Sequence, residues 1–197
     1  LVWAIAVAAI VLLTGCVGAR RPEESPAVAG ATLGYWQAVG RLGVTGPQGG
    51  GSGSFDWQQQ GAISKIQLRG PLGIGSLQLT LLESDSATEM RLATGDGQEY
   101  EADAALAELE ARLGARIPTQ NLRYWMLGVP APGEHRWVDA ANAPAPSANT
   151  AVLEQDGWRI EYRRYSDDAG PRLPVQIRAI NGATNIRILI DRWNISP

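Results

Sequence analysis

Apolar residues recur at every second position through much of this chain, and that period limits what it can fold into. The alternation is seen at Leu42 and Val44, at Phe55 and Trp57, at Ile66 and Leu68, and at Leu77, Leu79 and Leu81. It resumes at Trp158, Ile160 and Tyr162, then Val175, Ile177 and Ala179, then Ile186, Ile188 and Ile190. A period of two places such residues on one face of a strand. Strands with one dry and one wet face are the habit of antiparallel sheets. Asp96-Gly97, Asp156-Gly157 and Asn181-Gly182 lie between strand-like runs and supply the positive φ that tight hairpins demand. Gly46-Pro-Gln-Gly-Gly-Gly51 reads as a longer, flexible hairpin loop. It lacks the Gly-Lys-Ser/Thr ending and the following helix of a phosphate-binding loop.

Two helical segments interrupt the strands. Asp103 is the expected N-cap of the run from Ala104 to Ala115, with Leu106, Leu109 and Leu113 on one face and Gly114 as the stop. The second helix is predicted from about Pro118 to Leu127, with Leu122, Trp125 and Met126 on its apolar side and Gly128 ending it. The Pro/Ala-rich stretch 129–148 reads as a long loop. Strands, two helices, then strands again make an α+β chain, mainly antiparallel, with helices over one face of the sheet.

The amino terminus is of another kind. Residues 1–13 are uniformly apolar, too short for a membrane-spanning helix, which needs ~20 residues, and of the length of a signal-peptide core. The segment closes as Leu13-Thr14-Gly15-Cys16, which resembles the bacterial lipobox, at which the Cys is diacylated and becomes the new amino terminus. We expect residues 1–15 to be a lipoprotein signal peptide whose basic n-region is missing here. Residues 16–34 would then be a lipidated tether and 35–197 the folded domain. Each buried acyl CH₂ contributes ~0.8 kcal/mol, so two or three chains on Cys16 would anchor the protein firmly. Val17, in place of the Asp that favours inner-membrane retention in such systems, directs the expectation to the outer membrane.

Composition narrows the chemistry. One Cys among 197 residues excludes an internal disulfide and Cys-cluster metal sites, and one His excludes His-rich cages. The net charge of −3 gives no nucleic-acid footprint. There is no G-x-S-x-G elbow and no Walker motif. Glu83 with Asp85 and Asp167 with Asp168 are carboxylate neighbours; the latter pair, in a turn-like stretch flanked by Gly and Pro, reads as a solvated loop, and His135 as an exposed loop residue. Neither an enzyme nor a cofactor is expected.

Several strings, taken in order, resemble the LolB family of outer-membrane lipoprotein receptors. They are Gly40-Arg41-Leu42, Gly53-Ser-Phe-Asp-Trp57, Gly70-Pro-Leu-Gly-Ile-Gly-Ser-Leu77, Tyr124-Trp-Met-Leu-Gly128 before Pro130-Ala-Pro-Gly133, Gln155-Asp-Gly-Trp158, Leu173-Pro174 and Ile190-Asp-Arg-Trp193. The resemblance implies an incomplete, half-open β-barrel with a helical lid enclosing an apolar cavity. It implies a monomer that accepts acylated lipoproteins from a soluble periplasmic carrier and delivers them to the inner leaflet of the outer membrane without nucleotide. On that reading the cavity candidates are Leu42, Val44, Phe55, Trp57, Leu68, Leu77, Leu79, Trp125, Met126, Ile160 and Ile188. Leu72, flanked by Pro71 and Gly73, matches the family's membrane-insertion residue. The competing expectation is a non-catalytic adaptor or structural lipoprotein of an envelope assembly complex, with a filled core. A hydrolase is the weakest reading.

Overall fold

A computed structural model describes residues 34–70, 75–84, 88–138, 150–166 and 171–195. Their strands form one sheet in which every neighbouring pair is antiparallel. The first six are β1 (Tyr35–Gly46), β2 (Gly49–Gln60), β3 (Ile63–Arg69), β4 (Ser76–Glu83), β5 (Thr88–Thr94) and β6 (Glu99–Glu101). Two helices follow, α1 (Ala102–Leu113) and α2 (Thr119–Met126). The chain then returns through β7 (His135–Trp137), β8 (Ala151–Gln155), β9 (Trp158–Tyr165), β10 (Pro174–Asn181) and β11 (Thr184–Ile195). The spatial order is β6-β5-β4-β3-β2-β1-β11-β10-β9-β8-β7. The first and last strands in chain order thus pair near the middle of the sheet, and the sheet does not close. Both of its edges, β6 and β7, are three residues long, which limits the unpaired backbone an open sheet exposes.

The period-two residues take the buried face. Phe55, Trp57, Ile66, Leu77, Leu79, Leu81, Trp158, Ile160, Tyr162, Ile177, Ala179, Ile186, Ile188 and Ile190 are all buried. Val175 departs from its expected place and is only partly covered, while Pro174 is buried. The register between β10 and β9 shifts between Pro174 and Ile177, and a bulge moves the residues beyond it to the opposite face.

Three other expectations are corrected. The Gly46–Gly51 stretch is no flexible loop: only Pro47 and Gln48 make the turn, and Gly49, Gly50 and Gly51 are paired residues of β2. Gly46, just before the turn, serves close packing. A Cβ on Gly46 would lie 2.3 Å from the Gly114 carbonyl oxygen, and the Gln48 N–H donates to that oxygen at 3.3 Å. The hairpin tip therefore seats on the end of α1. Asp103 is not the N-cap of α1; Glu101 holds that place without a side-chain bond. Asp103 lies in the first turn, where a negative charge suits the helix dipole. Gly114 ends α1 at φ +66, as its sequence position predicts. Within the expected long loop, residues 135–137 form β7 against β8.

Candidate functional site

Strand register and helix packing bring one set of apolar side chains together. Leu42 stands opposite Ile188 and Val44 opposite Ile186 across β1 and β11. Phe55 faces Leu68 and Trp57 faces Ile66 across β2 and β3, and Ile66 faces Leu79 on β4. Over this face lie Leu109 and Leu113 of α1, Ile117 of the linker, and Thr119, Leu122 and Met126 of α2. With Leu81, these residues line a pocket of about 60 Å³ between sheet and helices.

Thr119 is the single polar residue in that lining, and none of the side chains titrates. The pocket offers a guest dispersion contact and exclusion from water, with almost no directional bonding. Such a surface suits a saturated chain and, apart from the Thr119 hydroxyl, is lined by hydrocarbon, aromatic and thioether side chains.

A second, much smaller pocket of about 10 Å³ shares Leu42, Leu68 and Leu113 with the first and is bordered by Gly51, Gly53 and Gly70. Gly51 and Gly53 stand opposite Val44 and Leu42, so this part of β2 puts bare backbone beside them. The Gly70 N–H donates to the Gly75 carbonyl at 3.1 Å, closing the base of the connection that carries Leu72. Leu72 itself lies outside the described residues, as do Cys16, the 1–15 segment and nearly all of the 16–34 segment.

The remaining sequence-predicted residues divide. Leu42, Val44, Phe55, Trp57, Leu68, Leu79, Met126 and Ile188 line the pocket. Leu77, Ile160 and Trp125 do not; they are wholly buried in packed core. The Trp125 ring lies 6.0 Å from that of Trp158, and its N–H bonds to Gln155 at 3.0 Å. Sequence reasoning missed Ile117 and Thr119, which sit between and at the start of the helices, where no periodicity marks them. It noted Ile66, Leu81, Leu109, Leu113, Leu122 and Ile186 as apolar-face residues without assigning them to the pocket.

Around the pocket, polar contacts fix the helices. Arg123 of α2 pairs with Glu83 of β4 at 2.9 Å. Burial pushes the Glu83 carboxyl above its ordinary range, with Arg123 opposing the shift. At the same end of the sheet, the Gln59 Oε1 accepts from Trp57 at 3.2 Å and from Ser64 at 2.6 Å. His135 is exposed, its Nδ1 3.2 Å from the Gly133 oxygen. Asp85, Asp167 and Asp168 lie outside the described residues. Among the described residues there is no cluster of three metal-ligating side chains, and no helix is long and apolar enough to cross a membrane.

Comparison with known proteins agrees with this architecture. A solved DUF1329 family protein from Desulfovibrio piger superposes with a TM-score of 0.57 over 87% of this chain and 90% of its own, at 9% identity. It shows a shared fold. Similar sequences include the outer-membrane lipoprotein LolB of Pseudomonas paraeruginosa, 34% identical over 96% of this chain and 94% of its own. Those of Stutzerimonas stutzeri, at 35% over 92% and 90%, and Azoarcus sp., at 32% over 98% and 94%, are also similar. The family model described as "Outer membrane lipoprotein LolB" matches residues 34–193, and the chain belongs to that family.

Proposed function

We propose that this protein is an outer-membrane lipoprotein receptor: it accepts acylated lipoproteins from a soluble periplasmic carrier and inserts them into the outer membrane. The acyl chains occupy the pocket between the sheet and the helices, which act as its lid. The observation that carries this reading is a sixteen-residue lining with one polar member, in a chain of the LolB family. Transfer needs no nucleotide if apolar contact strengthens from carrier to receptor to bilayer. Cys16, acylated after removal of residues 1–15, holds the protein to the membrane through the 16–34 tether, and Leu72 contacts the bilayer during delivery.

Size sets a condition on this mechanism. Ligand pockets that bury a small molecule usually hold roughly 300–1,000 Å³. About 60 Å³ cannot hold acyl chains, so the lid must move away from the sheet as they enter. The same small volume favours a second reading, a structural or adaptor lipoprotein with a filled core.

Two measurements separate them. The receptor displaces a hydrophobic fluorescent probe when acyl chains are added, and takes an acylated lipoprotein from the soluble carrier without nucleotide. An adaptor does neither, and failure of both overturns the receptor reading. Cys16→Ala yields a soluble periplasmic protein; a variant still firmly membrane-bound removes the anchor role from Cys16.

A further inference from the structure

An acylated client brings more than hydrocarbon. Its chains are joined to a cysteine that begins a peptide, and those amides have no partners in a lining with one hydroxyl. Burying an unpaired amide there is unfavourable. The polar part of the client therefore needs its own seat beside the pocket.

Such a seat adjoins it. A cleft of about 740 Å³ lies between the α1–α2 linker and the β8–β9 and β10–β11 turns, and it shares Ile117 and Thr119 with the apolar pocket. Its lining is mixed: Arg116, Gln120, Asn121, Asp156 and Asn181 border it together with Trp158. The Asn121 amide donates to the Asp156 carboxylate at 2.7 Å, which fixes the α2 start against the β8–β9 turn. Arg116 and Gln120 are exposed and hold no side-chain bond among the described residues.

We infer that this cleft binds the acylated cysteine and the first peptide residues of the client while the acyl chains lie in the adjoining pocket. This rests on the receptor reading above. Side-chain amides both donate and accept, so they can pair with a peptide backbone whatever its side chains. The cleft thus recognises the backbone next to the lipid and leaves client sequence free. Its volume falls within the usual range for a ligand site. Thr119, at the shared wall, marks the junction of hydrocarbon and amide.

The test compares two ligands on the full domain. Palmitate probes the pocket alone. A synthetic diacylglyceryl-cysteine with a short serine peptide probes pocket and cleft together. Both are measured by displacement of a hydrophobic fluorescent probe. Gln120→Trp fills the cleft from an exposed position. Asn121→Ala with Asp156→Ala removes its polar pair without adding bulk. The lipopeptide should lose about tenfold in affinity in both variants, with palmitate unchanged within about twofold. Lipopeptide binding that stays unchanged, or that falls only in step with palmitate, overturns the cleft assignment and leaves the pocket reading standing. A wild-type protein that binds neither ligand overturns the pocket reading itself, and the cleft assignment with it.

Discussion

Gln155, buried on β8, accepts the indole N–H of Trp125 at 3.0 Å and so ties the last turn of α2 to a strand thirty residues away. Its Oε1 also accepts the Ala131 N–H at 2.9 Å, and its Nε2 donates to the Ala131 carbonyl at 2.7 Å. One side chain thereby satisfies three buried groups around the exit from α2. Gln155→Leu keeps most of the volume and leaves all three unpaired. Each unsatisfied buried group costs ~1–3 kcal/mol. We predict a loss of about 3 kcal/mol in urea denaturation. A midpoint equal to that of the wild type would show that this junction does not hold the helix.

Tyr162 and Tyr165 give a prediction in pH. Their rings are 6.4 Å apart, and neither hydroxyl has a hydrogen-bond partner among the described residues. Burial holds the Tyr162 phenol well above its ordinary range and pushes Tyr165 up to about 12. An unfolded tyrosine ionises near ~10, so the unfolded chain releases these protons first. Below that pH the two states bind the same phenolic protons and stability is level in this respect; it falls as pH rises from about 10 towards 12. Tyr165→Phe keeps the ring under Arg172, removes an unpaired hydroxyl and removes one titration. Stability at neutral pH should rise by about 1 kcal/mol and the alkaline slope should flatten. Denaturation curves at neutral and alkaline pH check both; an unaltered slope would sink the account.

The faces of the strands were legible in the sequence, because a period of two converts directly into in or out. Where the backbone breaks that period, reading fails: at Val175 a bulge moves the apolar side chain off the core. The glycine-rich stretch from Gly46 reads as slack, but a Cβ on Gly46 would lie 2.3 Å from the Gly114 carbonyl oxygen where the hairpin meets the helix end, and Gly49, at φ +134, holds a backbone conformation that favours glycine. β7 was hidden because three residues carry no period. The division of the apolar face into pocket and solid core was not legible. Leu77 and Leu79 have the same composition, spacing and strand, yet only Leu79 lines the pocket. That difference depends on where α1 and α2 lie over the sheet. Ile117, which joins pocket to cleft, sits in a linker with no pattern to announce it.

The helix-end contact makes a separable prediction. Gly114 lies at φ +66, and a Cβ there would come 2.8 Å from the Gly49 carbonyl carbon. Gly97 lies at φ +85 with open space around it. Alanine at either site meets the left-handed penalty of ~1–2 kcal/mol. Only at Gly114 does it also push backbone away. Gly97→Ala should lower stability by about 1 kcal/mol and Gly114→Ala by about 3 kcal/mol in thermal or urea unfolding. Equal losses would mean that the hairpin tip yields freely and does not brace the end of α1.

The last prediction concerns delivery. In the proposed transfer, acyl chains leave the pocket on the side of Leu68 and Gly70, towards the connection closed by the Gly70–Gly75 hydrogen bond, within which Leu72 is placed by sequence. A Leu side chain moved from water into hydrocarbon gains ~1.5–3 kcal/mol, enough to bias a shallow membrane contact and too little to anchor the protein. A carboxylate at that position forfeits the gain and resists entry into the bilayer. The sixteen residues that line the pocket are themselves unchanged. Leu72→Glu should therefore fold normally and take lipoproteins from the carrier within about twofold of the wild type, while insertion into liposomes drops by about tenfold or more. Fluorescent-probe displacement measures the first step and liposome flotation the second. A variant that inserts at the unmodified rate would remove Leu72 from the delivery step. One that loses uptake and insertion together would place its effect on the pocket.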